Sequence, residues 1–188
     1  MRYLKLFESF EDIEQICKQY RIKNYTINQD GSIDVDVNVF LYEKKLTELP
    51  LKFNKVNGGF YCYGNNLTTL EGSPVEVNSV FNCGYNELES FEFAPRIIRG
   101  DFYCYNNNIK SFEYFPSYVK GDFYCNVNPI YEVWDLFRDT TKIELLNDFD
   151  IFRDEDTDEP TIIMDRLNDF LLTIGKPTVE KVEGYKNI

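Results

Sequence analysis

Cys62, Cys83, Cys104 and Cys125 stand 21 residues apart in this 188-residue chain, and thiols spaced so evenly raise the question of metal binding or redox chemistry. Zinc-binding thiolates converge on one point, usually from Cys-x-x-Cys pairs or with histidine, and the chain contains neither. Equal spacing makes the four side chains point the same way, as small buried hydrophobes do. They are expected to pack as a core ladder, with no metal and no cofactor, and Cys17 to pack on a helix. The absence of histidine also removes the commonest general base and the triads built on it. Asp154, Asp156 and Asp158 alternate like the start of a calcium loop, with Asp165 in the twelfth place. However, Glu159 stands where such a loop needs glycine and Asp165 replaces the usual glutamate, so the stretch reads as a solvated acidic loop. The residue types point away from an enzyme.

What positions the thiols is a 21-residue period carried by several independent columns. Phe60, Phe81, Phe102 and Phe123 share it, as do Asn65, Asn86, Asn107 and Asn128. Further columns are Leu67, Leu88, Ile109, Ile130; Leu70, Phe91, Phe112, Val133; and Pro74, Pro95, Pro116. An earlier degenerate copy has Val39, Leu41, Leu46, Leu49 and Val56 in phase, but Lys44 in the asparagine column. Phenylalanine and cysteine two apart face the same side of a strand, so both enter a core that only stacked neighbours can close. An asparagine amide, with both donor and acceptor, can then satisfy backbone groups freed where each strand turns.

The run Phe102-x-Cys104-x-x-Asn107-x-Ile109-x-x-Phe112 resembles the leucine-rich-repeat pattern, and the resemblance covers residues 35–133. The proline column followed by Val77, Ile98 or Val119 is similar to the short-repeat bacterial subclass, with phenylalanine and cysteine replacing the usual leucine and valine. The resemblance implies an α/β repeat, a leucine-rich-repeat solenoid with a parallel β-sheet on its concave face. The expected organisation is an N-terminal cap over residues 1–36, repeats over 37–133 and a helical C-terminal cap over 134–188. In the first cap we expect a helix over 8–20 and a hairpin turning at Asp30-Gly31. In the last we expect a helix near Tyr131–Phe137, a strand or helical turn within Lys142–Phe152, and a helix over Thr161–Ile174. Some bacterial leucine-rich-repeat effectors carry a catalytic-cysteine ligase domain, but residues 134–188 contain no cysteine and the chain has no Cys-x-Asp. The opening Met1–Phe10, the stretch from Asp30 to Asp36 and that from Asp165 to Leu171 resemble segments of uncharacterised repeat proteins encoded by large tailed bacteriophages, which implies a phage-encoded accessory protein in the bacterial cytoplasm.

Acidic residues number 32 against 20 basic, a net charge of −12, with net −8 in residues 131–188. That charge repels phosphate backbones and anionic lipids, so nucleic acid and membranes are not the expected partners. Glu8, Glu11 and Asp12 interrupt the start before a signal-peptide core forms, and no later stretch has the roughly 20 apolar residues of a membrane span. Next to the inward pairs, Phe40, Tyr42, Tyr61, Tyr63, Tyr85, Tyr103, Tyr105 and Tyr124 should face outward, with Asn82, Asn106 and Asn126 between them. Tyrosine combines large contact area with little rotamer entropy to lose, which suits protein recognition; ring stacking for stability alone is the plainer use. The resulting expectation is a non-enzymatic protein-binding module acting on a host or phage protein, the alternative being a structural component of a virion or assembly.

Overall fold

A computed structural model describes residues 10–153 and 160–188. Helix α1 (Phe10–Tyr20) leads into β1 (Tyr25–Ile27), β2 (Ile33–Val35) and β3 (Val39–Phe40). Pairs of short strands follow: β4 (Phe53–Val56) and β5 (Phe60–Tyr61), β6 (Glu76–Val77) and β7 (Phe81–Asn82), β8 (Ile97–Ile98) and β9 (Phe102–Tyr103), β10 (Tyr118–Val119) and β11 (Phe123–Tyr124). Then come α2 (Tyr131–Phe137), α3 (Ile143–Asp148), β12 (Phe152–Arg153), β13 (Thr161–Ile162), α4 (Met164–Thr173) and β14 (Lys186–Asn187).

This is a mixed α/β structure with three sheets, and it corrects the expected leucine-rich-repeat solenoid with one concave parallel sheet and a helical C-terminal cap. A six-stranded sheet runs β1-β2-β4-β6-β8-β10, antiparallel at β1–β2 and parallel thereafter. A five-stranded parallel sheet runs β3-β5-β7-β9-β11, and a mixed three-stranded sheet, β12-β13-β14, lies in the C-terminal segment. The six-stranded sheet arises because Val56, Val77 and Ile98 are buried and bring their neighbours into hydrogen-bonding register, where a single sheet was expected. The three-stranded sheet arises because the Thr161 end of the expected last helix is extended and pairs on both sides, so that α4 starts only at Met164.

In the five-stranded sheet, pairing joins residues 21 apart: Val39 to Phe60, Phe60 to Phe81, Phe81 to Phe102, Phe102 to Phe123. Every rung therefore repeats the side chains of the last, and the phenylalanines line up at ring distances of 5.3–5.8 Å. Cys62, Cys83, Cys104 and Cys125 follow them into the core, each no more than 1% exposed. Burial pushes the Cys62 thiol up to about 12, and raises Cys83, Cys104 and Cys125 well above the ordinary thiol value. Their thiolates are the reactive form, so the row is inert packing.

A residue with left-handed backbone ends each strand of this sheet: Glu43, Gly64, Tyr85, Asn106 and Val127, with φ from 52° to 68°. Such bends cost about 1–2 kcal/mol for a residue with a side chain, and the asparagine that follows all but the first of them holds the bend in place. The Asn107 Nδ2 donates to the Cys83 and Cys104 carbonyls at 3.1 and 2.9 Å, while its Oδ1 accepts from the Leu88 N–H at 3.0 Å. Asn86 and Asn128 repeat the scheme one rung before and after. Because each amide also serves the rung before it, the first rung needs no asparagine: Asn65 accepts from the N–H groups of Lys44 and Leu46.

Pro129 ends the stack. Asn66, Glu87 and Asn108, the equivalent residues, each donate their N–H to the carbonyl 20 residues back. Proline has no N–H, so the Ile109 carbonyl accepts from Ile130 instead, at 3.1 Å, and the chain turns into α2. Trp134 of α2 packs edge-on against Phe123 at 5.0 Å and closes this end of the core. Phe170 of α4 continues it against Phe137 and Phe149, and the buried Tyr185 hydroxyl donates to the Lys110 carbonyl at 3.1 Å. At the other end α1 buries Ile13 and Cys17, and β1 and β2 form the expected hairpin. Residues 8–9 of the expected first helix lie outside the described residues.

Candidate binding surface

In the five-stranded sheet the residue between each inward phenylalanine and cysteine faces away from the core, which gives an outer column of Phe40, Tyr61, Asn82, Tyr103 and Tyr124. The column two residues further along is Tyr42, Tyr63, Gly84, Tyr105 and Asn126. Stacking follows from the pairing register. Phe40 lies on Tyr61 at 5.3 Å, Tyr42 on Tyr63 at 4.9 Å and Tyr103 on Tyr124 at 4.6 Å, all within 19° of parallel. Edge contacts tie the columns together, Phe40 to Tyr42 and Tyr103 to Tyr105, both at 6.1 Å. All eight aromatic residues singled out in the sequence thus lie on this strip. Phe40, Tyr42, Tyr85 and Tyr124 are exposed, while Tyr61, Tyr63, Tyr103 and Tyr105 are half-buried by their neighbours.

Tyr85 reaches the strip differently. It occupies the left-handed bend one position beyond Gly84, stands 56% exposed and meets Tyr105 edge-on at 5.2 Å. Gly84 makes that contact possible, since a Cβ there would lie 2.9 Å from the Tyr105 ring. Tyr105 therefore leans across the rung below and covers the place where the second column lacks a side chain.

The carboxylates beside the rings were not picked out in the sequence. Tyr103 donates to Asp101 at 3.1 Å and Tyr124 to Asp122 at 3.2 Å, each two residues back along the chain. Burial, with the Asp101 carboxylate as acceptor, pushes the Tyr103 hydroxyl up to about 12; the hydrogen bond to Asp122 raises Tyr124. Both hydroxyls stay protonated through the physiological range. The alternating Asp-Phe-Tyr of residues 101–103 and 122–124 was the available signal, because i and i+2 share a strand face.

A cleft of about 490 Å³ lies away from the strip; Gly72 beside it has a φ of 91°, and a Cβ there would lie 2.7 Å from the Leu51 carbonyl oxygen. Leu49, Leu51, Phe53, Pro74, Val75 and Phe93 line the cleft. Among the described residues there is no group of three potential metal ligands and no helix long and apolar enough to cross a membrane. Asp154, Asp156, Asp158 and Glu159 of the acidic loop lie outside the described residues; Asp165 sits in the first turn of α4. Compared with models of known families, with curated proteins and with solved structures, the chain matches none.

Proposed function

We propose that the chain is a non-enzymatic module that binds a protein partner through the outer face of its five-stranded sheet. One observation carries this reading: eight aromatic side chains line one face of the sheet in two stacked clusters, half-open to solvent. A soluble surface seldom keeps so large an aromatic patch uncovered without a use. Ring-on-ring stacking holds the strip rigid before any partner arrives, so little side-chain entropy remains to be lost on binding. The cysteine row is buried and unreactive, and the Tyr103 and Tyr124 hydroxyls are held protonated beside Asp101 and Asp122, which suits contact better than chemistry.

Site-specific photocrosslinking tests the proposal. A benzoyl-phenylalanine at Tyr85 is expected to capture a discrete protein in expressing cells, and one at Tyr118, exposed on the six-stranded sheet, is not. Adding Tyr103→Ala and Tyr105→Ala should cut the Tyr85 adduct roughly tenfold or more while the circular dichroism spectrum is retained. Equal capture from both positions, or an adduct indifferent to the double substitution, would overturn it.

A further inference from the structure

The outer column has one vacancy. Phe40 and Tyr61 stack on each other, Tyr103 and Tyr124 stack on each other, and between the two pairs the β7 rung offers Asn82. Elsewhere in the column one ring covers the face of the next. Only at Asn82 do two tyrosine faces, those of Tyr61 and Tyr103, look toward each other across a rung without a ring.

The rings flanking this vacancy belong to rungs two apart, roughly 10 Å at the usual strand spacing. That leaves room for one planar group, in the place where each neighbouring rung puts its own ring. Asn82 does not fill it, for its Oδ1 folds back to accept from the Gly84 N–H at 3.1 Å. Tyr105 does not fill it either, because it leans over Gly84 in the other column. Val80 takes the position that Asp101 and Asp122 hold in the next two rungs, which gives the notch a half-buried apolar floor. Asp101, one rung along from Val80, supplies a carboxylate at the notch wall; Tyr103 donates to one of its oxygens and the Asp122 N–H to the other, and each oxygen keeps a lone pair free.

We infer that the notch between Tyr61 and Tyr103 is the anchor point of the surface and takes an arginine side chain from the partner protein. This rests on the strip being a binding surface and names what it binds. Two open tyrosine faces attract a cation through their ring quadrupoles, and a guanidinium is the side-chain cation flat enough to slide between them. Its N–H fork then reaches the Asp101 carboxylate. The notch itself is bordered by carboxylates: Asp101 and Asp122 lie beside Tyr103 and Tyr124, and the chain as a whole is at −12. A partner presenting a basic segment is drawn in by that field, and a nucleic acid, whose bases could also enter the notch, is repelled.

The test is selection of binders from a random-heptapeptide display library on the full chain, followed by titration of the synthetic peptides obtained. Three variants are titrated beside the wild type. Asn82→Tyr writes the column's own ring into the vacancy and is expected to fold, since Tyr61, Tyr103 and Tyr124 already occupy equivalent positions. Asn126→Tyr adds a ring outside the notch, and Tyr103→Ala with Tyr105→Ala strips the surface. The inference expects peptides sharing one arginine, at least roughly tenfold weaker binding when it becomes lysine or citrulline, a similar loss with Asn82→Tyr, and little change with Asn126→Tyr. Peptides without a shared arginine, an indifferent lysine exchange, or undiminished binding to Asn82→Tyr would overturn the anchor; if those peptides still lose affinity for the double-alanine variant, the wider surface stands. Peptides indifferent to the double-alanine variant, or no peptides at all, would overturn both.

Discussion

The stacked strands and the C-terminal segment solve the same problem, burying backbone without leaving polar groups unpaired, in opposite ways. In the stack, one residue type at one spacing does it repeatedly: Asn86, Asn107 and Asn128 each bridge two rungs through bonds spanning 19 and 24 residues. Among the described residues of the C-terminal segment the solutions share no common spacing. Asn147 donates to the Phe112 carbonyl, Asn168 and Asn187 exchange hydrogen bonds with the backbones of Val179 and Val182 at 11 and 5 residues' distance, and Tyr185 reaches back 75 residues to Lys110. Phe112 joins the two regions, touching Phe91 on one side and Trp134, Phe137 and Phe152 on the other. A repeated solution spreads its stability along the chain, and a singular one concentrates it at a few contacts.

Alkali should weaken both regions, the C-terminal segment through its buried Tyr185 hydroxyl and the stack most of all. The four thiols of the row lie only in the stack, and burial raises them all. Unfolded thiols ionise near pH 9 while the folded ones resist, so above pH 9 the unfolded chain binds fewer protons. Stability is therefore intact below about pH 9 and lost as pH rises toward 12. Denaturation midpoints across that range should fall with a proton dependence that drops by one for each cysteine replaced by alanine; an unchanged slope would mean the thiols ionise in place.

Phe102→Ala should follow, costing about 4 kcal/mol, because Phe102 touches Phe81, Phe91, Phe115 and Phe123. Asn107→Leu should cost about 3 kcal/mol, since it orphans the Leu88 N–H and removes a donor from two carbonyls. Both are read from urea midpoints; a loss under about 1 kcal/mol would contradict the stacked-ring core in the first case and the shared-amide account in the second. In the other region Tyr185→Phe should cost about 1 kcal/mol and raise amide exchange in β14 and α4 without touching exchange in β7 and β9. Smallest and opposite in sign, Val127→Gly should raise the midpoint by about 1 kcal/mol or less, because a β-branched side chain is held there at a φ of 58°.

The contrast also explains what the sequence could disclose. The columns of phenylalanine, cysteine and asparagine recur by type, so their burial and the double role of the amide are readable from spacing, as is the outward row of aromatic rings. The later half of the six-stranded sheet is not: β6, β8 and β10 read Glu76-Val77, Ile97-Ile98 and Tyr118-Val119, two residues each, with no alternation to display. The left-handed bends hide for a similar reason, as Glu43, Gly64, Tyr85, Asn106 and Val127 share no chemistry and only their position matters. The strands of the C-terminal segment are again two residues long, and Thr161 continues smoothly into a helical pattern, which made one element out of two. Within the surface, the gap at Asn82 is visible in the column, but that it stays open depends on where Tyr105 leans.

Pro129 gives the molecule a defined length. Each preceding unit hands an N–H back to its predecessor, and the chain advances until it meets the one residue that has none to hand back. A 21-residue segment inserted ahead of Pro129 should therefore add a level and carry the same ending further out, whereas one inserted behind it would meet a helix already begun. Where growth stops is decided by a single absent hydrogen, independently of whatever the outward rings hold.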